Sequence, residues 1–127
     1  MDKCAQIVLI EDDAEIRESL QEFLESEGYS VVSFQNGREA LDGLHVCQNP
    51  CLILLDWMMP IMNGEEFLRA RAAGGDTIAA LPVFVVSGAA DRAQGSQGAQ
   101  GFLNKPVDTD LLLQIVAKYC TRENSAA

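Results

Sequence analysis

Polar side chains that can bind a metal ion or a phosphoryl group stand directly after several aliphatic runs of the chain. Three acids, Glu11-Asp12-Asp13, end the first run, and Asp56 ends a later one. Ser87 and Lys105 follow two further runs. Carboxylates held close together repel one another and favour a bound cation. Because the nearby ligands are oxygens, without thiolate or imidazole, the favoured cation is a hard ion such as Mg²⁺.

Asp56 is the candidate nucleophile of this set. A carboxylate can attack phosphorus and form an aspartyl phosphate. Mg²⁺ and the Lys105 ammonium would neutralise charge on the transferring phosphoryl group, and the Ser87 hydroxyl would donate a hydrogen bond to one of its oxygens. Taken singly, each residue has an ordinary structural interpretation, such as a helix cap or a solvated lysine, so the prediction depends on their combination.

An alternation of strands and helices would bring these residues together. Short aliphatic runs predict strands, and apolar residues at helical spacing predict the helices between them. The predicted strands are Gln6–Ile10, Tyr29–Phe34, Leu52–Leu55, Val83–Val86 and a last one at Phe102-Leu103. The predicted helices begin near Asp13, span Gly37–Leu44, contain Phe67 and Leu68, and follow Asp108. A further helix between Gly88 and Gly101 would be short or irregular, because that segment contains four glycines.

This alternation predicts an α/β fold, with a doubly wound parallel sheet covered by helices on both faces. In such sheets, functional groups gather at the carboxyl ends of the strands. We therefore expect the acids, Ser87 and Lys105 to meet at one edge. The 127 residues suffice for one domain.

Charge and composition exclude several classes of function. The formal net charge is −10 and the pI is near 4.3, so the surface would repel nucleic-acid phosphates and anionic lipid. No apolar run reaches the roughly 18 residues of a membrane span, and the start of the chain lacks the basic flank of a signal peptide. We expect a cytoplasmic protein that binds neither nucleic acid nor membranes.

The chain has four cysteines, Cys4, Cys47, Cys51 and Cys120. Disulfide-dependent domains are usually smaller and secreted, so we expect reduced thiols here. A zinc site at Cys47 and Cys51 is disfavoured, because His45 is the only histidine of the chain.

Four segments together resemble the receiver domain of two-component response regulators. They are IVLIEDD at 7–13, LLDWMMPIMNG at 54–64, VVSGA at 85–89 and GFLNKPV at 101–107. Each segment alone is weak evidence, but their order and their positions at the strand ends are specific. The resemblance covers about residues 5–120 and leaves 121–127 as a tail. It implies a flavodoxin-like, five-stranded sheet in the order 2-1-3-4-5 with five helices.

The resemblance also implies a metal site and a phosphoacceptor. It makes Asp56 the phosphoacceptor and, with Asp13, a ligand of Mg²⁺. Asp12 would act mainly through bound water, and the backbone carbonyl of Met58 would complete the protein ligands.

Further roles follow from the same resemblance. Ser87 matches the switch hydroxyl, Lys105 the phosphate-binding lysine, and Phe102 the aromatic side chain that turns inward on activation. The peptide bond before Pro106 would be cis. This chain departs from the usual pattern at Gly88, where most relatives have alanine, and in a shortened segment between Ser87 and Lys105.

The function implied is that of a single-domain switch. A histidine kinase or histidine phosphotransfer protein would phosphorylate Asp56, and the altered surface would bind a downstream protein. We expect a monomer or weak homodimer. The alternative is a pseudo-receiver that binds partners constitutively. An enzyme such as a phosphatase is disfavoured, because a second acid is commonly needed two residues after the nucleophile, where this chain has Met58.

Overall fold

The computed structural model describes residues 6–44, 50–57, 61–73, 80–88 and 99–120. Its strands are β1 (Gln6–Ile10), β2 (Ser30–Phe34), β3 (Pro50–Asp56), β4 (Val83–Ser87) and β5 (Gly101–Asn104). Its helices are α1 (Ala14–Ser26), α2 (Gly37–Leu44), α3 (Gly64–Ala72) and α4 (Thr109–Tyr119). The additional helix expected between β4 and β5 falls largely on residues 89–98, outside the described residues.

The five strands form one parallel sheet in the order β2-β1-β3-β4-β5. This is the flavodoxin-like order that the resemblance implied. β1 pairs with both β2 and β3, so the strand order reverses beside it. Ligands of such sheets bind where the order reverses, beyond the carboxyl ends of the strands. The fold therefore places its candidate site after β1 and β3.

Both faces of the sheet are buried, which explains the unbroken aliphatic runs. Along β1, Ile7 and Leu9 join the hydrophobic cluster that contains residues of α1 and α4. Val8 and Ile10 join the opposite cluster, which contains residues of α2 and α3. Successive side chains of a strand point to opposite faces, so each central strand contributes to both cores.

The cysteine prediction was wrong for one pair. Cys51 and Cys120 form a disulfide across 69 residues of sequence, with their Cα atoms 5.4 Å apart. The physical reason is topological: α4 starts near the carboxyl end of β5 and ends beside the start of β3. Sequence spacing alone does not reveal that meeting. The remaining cysteines, Cys4 and Cys47, lie outside the described residues.

Candidate functional site

The strand ends bring an acidic cluster and a lysine together. Glu11 and Asp12 follow β1, Asp56 is the last residue of β3, and Ser87 is the last residue of β4. Lys105 follows β5 directly, and its backbone N–H donates to the Ser87 carbonyl at 2.9 Å. That hydrogen bond continues the ladder between β4 and β5 and positions the lysine over the sheet edge.

Lys105 contacts two of the acids. Its Nζ lies 3.0 Å from Asp56 Oδ1 and 3.5 Å from Glu11 Oε1. Both carboxylates are almost fully buried, with side chains 1% and 2% exposed, whereas the Lys105 side chain is 26% exposed. A buried carboxylate needs a charged or hydrogen-bonding partner, and the lysine supplies one. The peptide bond between Lys105 and Pro106 is cis, as the resemblance implied.

The acids that meet at the site are Glu11, Asp12 and Asp56. Each can offer one carboxylate oxygen, and these oxygens lie within 4.8 Å of one another. Asp13 is not part of this cluster. Its Oδ1 accepts hydrogen bonds from the backbone N–H groups of Glu15 and Ile16, so its carboxylate caps α1.

The structure thus brings Glu11 and Asp12, rather than Asp12 and Asp13, to Asp56, and the ligand set implied by the resemblance left out Glu11. The physical reason is that Asp13 directly precedes the first helical residue, where an acid accepts from the free N–H groups of the helix start. The position of Asp13 just before the helix is therefore a sequence signal for a helix cap. Arg17 supports the turn between β1 and α1, because its guanidinium donates to the Glu11 carbonyl at 2.9 Å.

The environment favours the protonated form of Asp56. Burial is the largest cause, and the adjacent carboxyl of Asp12 adds to it. Lys105 opposes this effect, while Glu11 reinforces it, and the resulting pKa of Asp56 is about 8. Burial tends to lower the pKa of Lys105, but the contacts with Asp56 and Glu11 raise it overall. Burial and the neighbouring acids thus disfavour the charged form of Asp56, and a bound cation would favour it.

One carboxylate oxygen at the site is suited to bind a cation. Asp56 Oδ2 is buried and has no hydrogen-bond partner among the residues that the structure describes. Its other oxygen, Oδ1, accepts from Lys105. A buried carboxylate oxygen without a partner is costly, unless a ligand satisfies it. With two further acids nearby, the donors are all oxygens, which is the set that Mg²⁺ prefers.

The other predicted residues are distributed around this cluster. Ser87 is buried, 7% exposed, at the end of β4. Phe102 lies in β5 opposite Val85 and is 50% exposed, so its ring faces outward. Met58 lies outside the described residues.

Trp57, next to Asp56, packs against the start of α3. Its carbonyl accepts from the N–H of Gly64 at 2.9 Å. A Cβ atom at Gly64 would lie 2.6 Å from Cε3 of the Trp57 ring, so this close approach requires glycine. The only tryptophan of the chain therefore has a fixed position beside the candidate phosphoacceptor.

The fold and the arrangement of the strand-end residues together are those of the receiver class. A family model described as "Response regulator receiver domain" matches residues 7–117. The chain belongs to this family.

Individual relatives agree with this assignment. The chain is 38% identical over 109 residues to the response regulator MprA of Mycolicibacterium vanbaalenii, covering 85% of this chain and 47% of MprA. This chain thus spans about half the length of that relative. Among solved structures, a response regulator receiver protein from Pseudomonas putida is 31% identical with a TM-score of 0.82, covering 93% of this chain and 99% of that one.

A second similar structure was solved as a complex. The response regulator protein TrrA from Thermotoga maritima, in complex with Mg(2+)-BeF, is 28% identical with a TM-score of 0.77, covering 90% of this chain and 97% of that one. In the part of this chain that the structure describes, no helix has the length and apolarity needed to cross a bilayer.

Proposed function

We propose that Asp56 accepts a phosphoryl group in a Mg²⁺-dependent reaction and that its phosphorylation switches contacts with other proteins. The observation that carries this proposal is the state of Asp56 itself. Its buried carboxylate contacts Lys105 through one oxygen, and the other oxygen, beside Glu11 and Asp12, has no hydrogen-bond partner within the described part of the chain. The likeness to a receiver solved with a phosphoryl analogue supports it.

Glu11, Asp12 and Asp56 are the side chains that would hold the metal, with the backbone carbonyl of Met58 as a further ligand. Asp13 is not proposed as a ligand, because it caps α1. Bound Mg²⁺ supplies positive charge that keeps Asp56 ionised and neutralises charge on the transferring group. It would also relieve the repulsion among the three acids.

The residues of the chain have separate roles in the transfer. An ionised oxygen of Asp56 attacks phosphorus, a new P–O bond forms, and the bond between phosphorus and the donor's leaving group breaks with its electron pair. The Lys105 ammonium stabilises charge on the phosphoryl oxygens, and the Ser87 hydroxyl donates to one of them. The product is a mixed anhydride at Asp56.

We infer that the donor is a histidine kinase or a histidine phosphotransfer protein and that the recipient of the signal is another protein. A net charge of −10 disfavours direct contact with nucleic acid or anionic membranes. We further propose that the chain works in the cytoplasm as a monomer or weak homodimer. Phe102, exposed on β5, is the proposed switch residue, and its ring would turn inward when the domain is activated.

The experiment that tests the proposal is intact-mass spectrometry after incubation with acetyl phosphate and Mg²⁺. We expect one added phosphoryl group in the wild type and none in Asp56→Asn or in EDTA. An Asp110→Asn variant is the matched control, because this acid lies in the first turn of α4, away from the cluster. If the wild type gains no adduct and binds no beryllofluoride, the chain is a constitutive binding module instead.

A further inference from the structure

The disulfide lies at the edge of the sheet opposite the candidate site. Cys51 is the second residue of β3, whereas Asp56 is its last. Cys120 directly follows α4, and its N–H donates to the Val116 carbonyl at 2.8 Å. Cys120 is buried in the core beneath α4, and Cys51 packs against the same cluster. The bond therefore joins the far end of α4 to the start of the strand that carries Asp56.

α4 is consequently held at both ends. At the site, Lys105 contacts Asp56, and only Pro106 and Val107 separate Lys105 from Asp108, which caps α4. At the other edge, Cys120 is bonded to Cys51. β3 and α4 thus form two sides of a closed ring, with an ion pair at one end and a covalent bond at the other.

We propose that Cys51 and Cys120 are a reversible redox site whose disulfide restrains α4 and weakens the response of the domain to phosphorylation. This inference rests on the proposed function. Phosphorylation changes the partner of Lys105, and any displacement of Lys105 is passed to α4 through a two-residue connection. While the disulfide is intact, the far end of α4 cannot shift along β3. A state with a displaced helix is therefore disfavoured.

The redox step balances with a thiol as reductant. Two small-molecule thiols, or one dithiol, lose two electrons and two protons and form their own disulfide. The Cys51–Cys120 bond breaks, and each sulfur gains one electron and one proton. The exchange begins when the reductant's thiolate attacks a protein sulfur, and Cys51, partly exposed, is more accessible than buried Cys120.

The reduced form also fits the structure, which is why the site can be reversible. Cys51 Sγ lies 3.2 Å from the carbonyl oxygen of Gln6, so a Cys51 thiol has an acceptor in place. A buried Cys120 thiol behaves as a small apolar side chain. Tyr119 still packs against Phe84, with ring centroids 5.8 Å apart. α4 would remain docked without the covalent bond.

The first test establishes the site itself. In a Cys4→Ser/Cys47→Ser background, only this cysteine pair remains. The protein is treated with oxidised glutathione or with dithiothreitol, its free thiols are alkylated, and its intact mass is measured. We expect no alkylated thiol after oxidised glutathione and two after dithiothreitol. Reduction should lower Tm by about 10 °C, because the bond closes a long loop. Adding Cys51→Ser should abolish the effect of dithiothreitol on Tm. Two free thiols after oxidation would overturn the proposal.

The second test measures coupling to Asp56, with beryllofluoride and Mg²⁺ as the probe and Trp57 fluorescence as the readout. We expect the reduced protein to bind beryllofluoride at least about threefold more tightly than the oxidised protein. Because coupling is reciprocal, beryllofluoride should favour reduction by dithiothreitol by the same factor. The variant with Cys51→Ser should bind equally with and without dithiothreitol.

The outcomes separate the two proposals. Equal affinity of the oxidised and reduced forms would overturn the coupling and leave the proposed function standing. Absence of beryllofluoride binding in both forms would overturn the proposed function and the coupling, whereas labelling and melting would still decide whether the redox site exists.

Discussion

Lys105 Nζ lies 3.0 Å from Asp56 Oδ1 although the two residues are 49 positions apart. The contact links the ends of β3 and β5, which are not neighbours in the sheet. Glu11 shares the same ammonium at 3.5 Å. With Asp12 included, the described residues place one contacting lysine beside three acids, so these residues carry excess negative charge when no metal is bound. The stability, metal affinity and reactivity of the domain should all depend on how that charge is compensated.

Stability in metal-free buffer should fall as pH rises. The pKa of Asp56 is about 8 in the folded protein, against an ordinary value of 3.8. Between these values the folded state holds a proton that the unfolded state releases, so the free energy of unfolding decreases with increasing pH. The contribution of Asp56 to the free energy of unfolding is fully present below pH 3.8, and it is lost as pH rises through 8. Urea unfolding in EDTA at several pH values measures it. The Asp56→Asn variant should lack this component, and identical pH slopes in both proteins would contradict the expectation.

Asp12 and Asp13 should differ in their effect on metal binding. Asp12→Asn removes an acid of the cluster and should weaken Mg²⁺ binding by more than about tenfold. Asp13→Asn removes the same charge from the adjacent position but keeps an effective helix cap, so both affinity and stability should change little. Titration of Mg²⁺ followed by Trp57 fluorescence gives both affinities. A larger loss in Asp13→Asn would restore Asp13 as the ligand and remove Glu11.

Replacement of Lys105 should separate metal binding from phosphorylation. Lys105→Gln removes the charge proposed to stabilise the transferring phosphoryl group, so the rate of phosphorylation by acetyl phosphate should fall by about 100-fold. Mg²⁺ affinity should be retained or increased, because a nearby positive charge is lost. Lys118→Gln is the matched control, since Lys118 is exposed on α4. An unchanged rate in Lys105→Gln would exclude a direct role of this lysine.

A methyl group at Gly64 should lower stability and weaken ligand binding at the site, although Gly64 is not itself a site residue. In Gly64→Ala the new Cβ would lie 2.6 Å from the Trp57 ring, and overpacking of this kind costs about 1–3 kcal/mol. The tryptophan emission should shift, and Asp56, its neighbour in sequence, should bind beryllofluoride less tightly. In Gly37→Ala the new Cβ would meet the Met62 side chain at 3.0 Å and the Met62 carbonyl oxygen at 3.3 Å, both longer approaches, so this variant should cost less. Equal costs for the two variants, measured by urea unfolding, would show that the Trp57 ring moves aside freely.

Much of the fold was accessible from the sequence, because both faces of the central strands are buried and their aliphatic runs are continuous. The pattern located the strands to within about two residues; β2 begins at Ser30 rather than Tyr29, and β3 extends from Pro50 to Asp56. Asp56, Ser87 and Lys105 could be found because each ends or follows such a run.

Two features were harder to read from the sequence. Three successive acids follow β1, and which of them turns toward Asp56 depends on where α1 begins. The helix start takes Asp13 as its cap and leaves Glu11 and Asp12 for the cluster. The disulfide depends on a contact between the start of β3 and the end of α4, across 69 residues, which no local pattern encodes.

The strand order also has a consequence for synthesis on the ribosome. β1 pairs with β2 and β3, so the first 56 residues contain every strand needed to bring Glu11, Asp12 and Asp56 together. Lys105 emerges 49 residues after Asp56. A nascent chain whose amino-terminal strands pair before the rest has emerged would hold these three acids together without this lysine. Free Mg²⁺ in the surrounding solution would then stabilise the growing chain before its own counter-charge has been made.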